Sequence, residues 1–222
     1  MRALAASFCA LLLAACGSAP RVPDWKSNAA GAIDSFQREY LAGNTLAAER
    51  DLRVARTEVA STGRLDFAAR VELIQCAVAT AALDFDRCRG IDDVAAQASP
   101  EDRAYAGFLR GRWDGIDAGA LPSSYRGVVG ARDAEAQSRA MQGIEDPLSR
   151  LVAAGVLLER ARITPAGVAT AVDTSSSQGW RRAVLAWLAV QAKLAESAGD
   201  QAALATIRKR IDLAGGTAGV PK

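Results

Sequence analysis

Four cysteines and a complete lack of histidine define the chemistry open to this chain. The cysteines are Cys9, Cys16, Cys76 and Cys88, and none of the 222 residues is a histidine. Histidine is the commonest general base, the usual activator of a nucleophile and the commonest metal ligand. The composition therefore disfavours catalysis and leaves the thiols as the main chemical groups.

The carboxylates do not replace the missing histidine. Those between residues 72 and 102 lie near expected helix ends, where acidic side chains serve as caps and as partners of the helix dipole. Ser99-Pro100 is typical of such a helix start. Cys76 and Cys88 are the two cysteines beyond the amino-terminal segment. Without histidine, they are also too few ligands for zinc. We predict no catalytic residue, no metal site and no cofactor, so the chain is expected not to be an enzyme.

The balance of charge excludes one class of partner. The sequence has 27 lysines and arginines against 25 aspartates and glutamates. A nucleic-acid-binding domain usually carries clustered basic residues and a clear positive excess. We therefore expect no binding to DNA or RNA.

Cys16 ends an apolar segment at the amino terminus. Arg2 supplies a short positive start, an apolar run follows, and two alanines precede the cysteine. A helix needs about 20 apolar residues to cross a bilayer, and this run is shorter. The pattern is typical of an export signal.

The four residues LAAC at 13–16 resemble the lipobox of bacterial lipoproteins, in which one large and two small residues precede an obligatory cysteine. The resemblance implies that residues 1–15 are a signal peptide, and that Cys16 becomes the lipidated first residue of the mature chain. Gly17, in place of an aspartate, implies sorting to the outer membrane. Each buried methylene contributes about 0.8 kcal/mol, so several acyl chains anchor a protein permanently.

A tether, a helical domain and a tail are expected after this cysteine. Glycine, serine and two prolines fall within residues 16–24, which predicts a flexible tether. Over residues 25–214 the apolar residues recur with helical spacing, and strong helix formers are abundant. Residues 215–222 are expected to be a disordered tail. The predicted fold class is therefore all-α.

The helical region begins with small residues at regular spacing. Tyr40 is followed by Gly43, and Ala48 and Ala55 lie seven residues apart, which is two helical turns. This pattern resembles the tetratricopeptide repeat, whose unit of about 34 residues folds as two antiparallel helices. The resemblance implies a degenerate α-solenoid of about four to five helical hairpins over residues 25–214. An irregular α-helical bundle is the alternative.

Individual turns and helices can also be assigned. The second repeat-like unit would place its second helix from residue 85 onward. We expect turns at Gly43, Leu83, Gly111, Arg162 and Gly199. Later helices are predicted over 133–143, 147–162 and 165–175, followed by a polar loop at 174–179.

The repeat resemblance also bears on Cys76 and Cys88. In that family the close-packed small positions of the two helices lie twelve residues apart, which is the separation of these cysteines. Facing positions bring Cα atoms within the about 4.4–6.8 Å that a disulfide requires, and compartments outside the cytoplasm are oxidising. A Cys76–Cys88 disulfide is expected, with two buried free thiols as the alternative.

Repeat arrays bind their partners on a concave face lined by the first helix of each pair. Ile33 is among the residues that this register places on the face. The alternative is that the aromatic residues of the set fill space between hairpins. The predicted partner-binding residues are Tyr40, Arg70, Tyr105, Phe108 and Lys193.

The predicted function follows from the anchor and the helical array. We expect an outer-membrane lipoprotein that faces the periplasm and acts as a non-catalytic adaptor or assembly factor for one or more envelope proteins. One alternative is a periplasmic carrier or sensor of a small apolar or cell-wall-derived ligand. A cell-wall hydrolase is the second alternative.

Overall fold

The computed structural model describes residues 22–216, and this part of the chain is helical without a strand, which confirms the all-α class. Residues 1–15, Cys16 and 217–222 lie outside the described residues, so the signal peptide, the lipidation and most of the tail stay predictions. Single 3₁₀ turns occur at Phe85–Cys88 and Ala118–Ala120. The α-helices in residues 22–216 are α1 (Asp24–Ala42), α2 (Thr45–Ala60), α3 (Leu65–Ala81), α4 (Ile91–Ala95), α5 (Pro100–Leu109), α6 (Ser123–Gly130), α7 (Ala134–Gln142), α8 (Pro147–Glu159), α9 (Pro165–Ser177), α10 (Arg181–Ser197) and α11 (Gln201–Gly215).

Three helices begin with a capping side chain followed by proline. Ser99 accepts a hydrogen bond from the backbone N–H of Asp102, which confirms the predicted start of α5. Asp146 and Thr164 cap α8 and α9 in the same way. The cap satisfies a backbone donor, and proline fits the first turn because an N–H there would have no partner within the helix. These starts are therefore encoded locally.

The predicted turns coincide with reversals of the chain. Gly43 has a φ of 95° and separates α1 from α2, which form an antiparallel hairpin, and Gly199 has the same role between α10 and α11. Leu83 and Ala161 adopt φ values of 62° and 53°, although side chains rarely occupy this left-handed region. The packing around both residues must therefore offset a local cost.

Two stretches differ from the sequence prediction. The predicted loop at 174–179 is helical as far as Ser177, and within this helix the buried hydroxyl of Ser175 donates to the carbonyls of Ala171 and Val172. The expected second helix from residue 85 is a single 3₁₀ turn followed by the five-residue α4. The second repeat-like unit therefore lacks a full second helix.

The helices form a closed circuit. Helix α1 contacts α3, α3 packs on α8, α8 leads through α9 to α10, and α10 returns to α1. In a solenoid each unit contacts only its neighbours along the chain. The contact between α1 and α10 is a closure that a linear array lacks, and in this respect the arrangement matches the alternative of an α-helical bundle.

Close approaches at the centre hold this circuit together. A Cβ atom added to Gly155 of α8 would lie 2.3 Å from the backbone oxygen of Thr80, so only glycine allows α8 to pack here. The indole nitrogen of the buried Trp187 in α10 donates to the Ala81 carbonyl at 3.0 Å. The carboxyl end of α3 is thus in contact with both α8 and α10.

Candidate functional site

The five predicted partner-binding residues do not share one surface. Tyr40 and Phe108 have no exposed surface, and Tyr105 is half-buried with its ring stacked on Phe108. These aromatic side chains fill space between helices, which was the alternative interpretation, so the prediction that Tyr40 and Phe108 line a groove is wrong. Arg70 and Lys193 are exposed.

Tyr40 connects α1 to α10 through a set of contacts that we call the distal joint. Its hydroxyl donates to Asp84 at 2.7 Å, and its backbone carbonyl accepts a hydrogen bond from Arg182 Nε at 2.7 Å. The Arg182 guanidinium also lies 4.4 Å from the centroid of the Tyr40 ring. Burial, with the hydrogen bond to Asp84, raises the pKa of Tyr40, so its hydroxyl stays protonated.

The Cys76–Cys88 disulfide lies beside this joint. The two residues are bonded in the structure, with Cα atoms 4.8 Å apart, which confirms the expected pairing. The bridge fastens the 3₁₀ turn to α3. Arg87 in that turn forms ion pairs with Asp84 at 3.2 Å and with Glu49 of α2 at 2.6 Å. The bridge therefore fixes the segment that holds the Tyr40 hydroxyl.

An open groove of about 320 Å³ lies where α9 ends, α10 begins and α11 ends. Val184 and Leu188 are buried in its floor, and Leu213 at its edge is 73% exposed. Arginines from α10 and α11 lie at its rim. We call it the distal groove, and its lining residues are Ser176, Gly179, Arg181, Val184, Leu188, Arg210, Leu213 and Ala214.

A second open groove of about 280 Å³ lies between α1 and α3. The rings of Trp25 and Phe67 stack across it with centroids 5.5 Å apart, and the Arg64 guanidinium lies 4.0 Å from the centroid of the Phe67 ring. Arg70 lies at its rim. We call it the proximal groove, and its lining residues are Trp25, Lys26, Ala29, Ala30, Ile33, Val59, Phe67, Arg70, Val71 and Ile74.

The two grooves lie at opposite ends of α1. This helix has 19 residues and is about 28 Å long at a rise of about 1.5 Å per residue. Trp25 near its start lines the proximal groove. Tyr40 near its end contacts Arg182, the neighbour of Arg181 in the distal groove. The proximal groove extends along α1 as far as Ile33, so the second half of the helix separates it from the contact with Arg182.

Sequence reasoning found part of these grooves. Ile33 and Arg70 were predicted on a binding surface and do line the proximal groove. Lys193 does not line the distal groove, because it lies nine residues after Val184 and so on the opposite side of α10. Trp25 and Phe67 were missed as a pair, since they come from different helices and no spacing within one helix relates them.

Metal-binding clusters and membrane-spanning helices are absent from residues 22–216. This range contains no group of three or more side chains placed to hold a metal ion. None of the helices described has both the length and the apolar character that a membrane span requires.

Comparison with protein-family models, with curated proteins and with solved structures finds no match for this chain. Its function must therefore be inferred from its own residues and geometry.

Proposed function

We propose that this protein is an outer-membrane lipoprotein that faces the periplasm, and that its helical domain is a non-catalytic adaptor for an envelope protein. The observation that carries the adaptor role is the distal groove, an open apolar surface at the end of α1 remote from Cys16. The LAAC motif supports the anchor. The Cys76–Cys88 disulfide suits an oxidising compartment outside the cytoplasm.

The lining of the distal groove suggests what the partner presents. Leu213 is 73% exposed beside the floor formed by Val184 and Leu188, and apolar side chains that cover it would remove this surface from water. Arg181 and Arg210 at the rim offer guanidinium groups, which recognise carboxylates with two parallel hydrogen bonds. The proposed partner segment therefore combines apolar residues with at least one carboxylate.

Two further points support an adaptor. Both grooves are open to solvent, which favours a docking surface over a carrier that encloses a small apolar ligand. The lack of histidine in the whole sequence argues against hydrolases that use histidine as a general base or as a zinc ligand. The tetratricopeptide-like interpretation is proposed only for the α1–α2 and α10–α11 hairpins, which have the two-helix form of such a unit.

Lipidation is tested by growing cells that produce the full chain with radioactive palmitate. The wild-type protein should be labelled and should sediment with membranes, and Cys16→Ala should remove the label. A wild-type chain without label would contradict the lipoprotein part of the proposal.

The adaptor role is tested by substitutions in the distal groove. Leu213→Asp and Arg210→Glu should each reduce the yield of a co-purified envelope protein at least tenfold, because a negative charge at the apolar edge or at the basic rim opposes docking. Leu46→Asp is the matched control, since Leu46 is 89% exposed near the same end of α1 and does not line the groove. Equal partner recovery with all three variants and the wild type would contradict the assignment.

A further inference from the structure

We propose that the proximal groove and its rim are the face with which the anchored domain rests on the bilayer. The ligand is the interfacial layer of a phospholipid membrane that contains anionic headgroups. This inference depends on the proposed lipidation of Cys16, and the test below separates the two.

The covalent path from Cys16 sets which end of the domain is near the membrane. Val22, the first residue described, lies six residues after Cys16. An extended residue spans at most about 3.6 Å, so this path cannot exceed about 22 Å. Trp25 follows at the start of α1 and lines the proximal groove. The distal groove lies near the other end of α1.

The apolar groups at this end are of the kind that membrane interfaces attract. Trp25 and Phe67 are only partly buried although their rings stack, Ala30 in the same groove is exposed, and Val22, three residues before Trp25, is 55% exposed. Tryptophan is enriched where membrane meets water, because its ring is apolar and its N–H can still reach a polar partner. Contact with the bilayer would cover all four side chains.

The charges around the groove fit headgroups but contribute less. Lys26, Arg64 and Arg70 are exposed, and such side chains can bury their methylene stems while the charge stays at headgroup level. Arg64 already pairs with Asp66, and Arg70 with Asp102 at 2.9 Å. Since these acids neutralise part of the charge, the apolar contact must provide most of the binding. Added salt should therefore change the contact only slightly.

Lipid contact can be measured through Trp25 in the full lipidated chain. The protein is reconstituted in vesicles of zwitterionic and anionic phospholipid that carry bromine atoms on the acyl chains, which quench nearby tryptophans. Trp113, Trp180 and Trp187 are shared by wild type and Trp25→Phe, so the difference between their emission spectra reports Trp25. We expect this difference signal to fall at least twofold when brominated lipid replaces ordinary lipid.

A second pair of variants keeps the test independent of Trp25 itself. Ala30→Asp should restore most of the lost signal because Ala30 is exposed in the groove and a carboxylate there opposes insertion, and Leu46→Asp, at the other end of α1, should not. A protein partner in the groove would leave Trp25 unquenched by lipid. Protein that floats with the vesicles without quenching at Trp25 contradicts this inference alone. Protein that does not float contradicts the lipid anchor as well.

Discussion

The two ends of α1 are built differently. At the distal end, the hydroxyl, carbonyl and ring of the buried Tyr40 are all engaged, by Asp84 and Arg182, and a disulfide fixes the neighbouring turn. At the proximal end, α1 meets α3 through the partly exposed rings of Trp25 and Phe67. The distal end is thus held by polar contacts in the interior, and the proximal end by stacking at the surface.

The difference implies that the distal end of α1 is held more rigidly than the proximal end. Leaving a buried polar group without its partner costs about 1–3 kcal/mol, whereas an aromatic pair contributes about 0.5–1.5 kcal/mol beyond its buried area. Local opening should therefore begin at the proximal end. A surface that adapts to a bilayer can tolerate such opening, and a groove that recognises one partner benefits from a fixed shape.

The largest effect is expected where α8 packs on α3, since this contact fixes both ends in one body. Gly155→Ala would place its Cβ 2.3 Å from the Thr80 oxygen. This oxygen belongs to the backbone, which moves aside at a higher cost in free energy than the end of a flexible side chain does. We expect a loss of about 3 kcal/mol or more in the free energy of unfolding, measured by urea denaturation. The control is Gly31→Ala in α1, where the Cβ meets nothing within 4 Å. This control should gain about 0.5–1 kcal/mol, and equal effects of the two substitutions would contradict the tight packing.

Removing the disulfide tests whether the two ends of α1 respond differently. For a loop of this length, Cys76→Ala combined with Cys88→Ala should lower the free energy of unfolding by about 3 kcal/mol. Hydrogen exchange should quicken around Asp84 and Tyr40, because the turn that holds the Tyr40 hydroxyl is released. Amides around Trp25 and Phe67 should change little. Faster exchange at the proximal end instead would show that the two ends do not differ as argued.

Arg182→Ala addresses the distal joint directly. It removes the hydrogen bonds to the Tyr40 carbonyl and to Thr45 and the contact with the Tyr40 ring. We expect the free energy of unfolding, measured by thermal or urea denaturation, to fall by about 2 kcal/mol. Arg181→Ala next to it removes an exposed side chain and should stay within about 0.5 kcal/mol. Equal losses would argue against the joint.

The smallest expected change in stability comes from Tyr40 and depends on alkaline pH. The pKa of Tyr40 is raised in the folded protein, whereas tyrosine in an unfolded chain titrates near about 10. The stabilising contribution is therefore complete below about pH 10 and is lost as the pH rises further, since the unfolded chain then loses its proton first. Tyr40→Phe should cost about 1 kcal/mol at pH 7.

The same variant should reduce the loss of stability above pH 10 without abolishing it, because burial also raises the pKa values of Tyr105 and Tyr125. Urea denaturation at pH 7, 10 and 11 checks the slope. If stability fell more steeply with pH in Tyr40→Phe than in wild type, Tyr40 would not be a source of the alkaline loss.

Local features of the fold could be predicted well and the grooves only in part. The start of α5 at Ser99-Pro100 follows from capping within three residues, and the turns at Gly43 and Gly199 follow from backbone freedom. The predicted helix over 165–175 continues through Ser176 and Ser177, and this last part was missed because the polar stretch 174–179 is typical of a loop.

The all-α class, the capped helix starts and the Cys76–Cys88 pairing that the repeat resemblance implies could be predicted from the sequence, since each depends on residues at most twelve apart. The burial of Tyr40 could not, because its carbonyl meets Arg182 from 142 residues away. The groove that Trp25 and Phe67 form also depends on how distant helices pack. Contacts of this range depend on how the helices close into a circuit, and no spacing within a single helix encodes that closure.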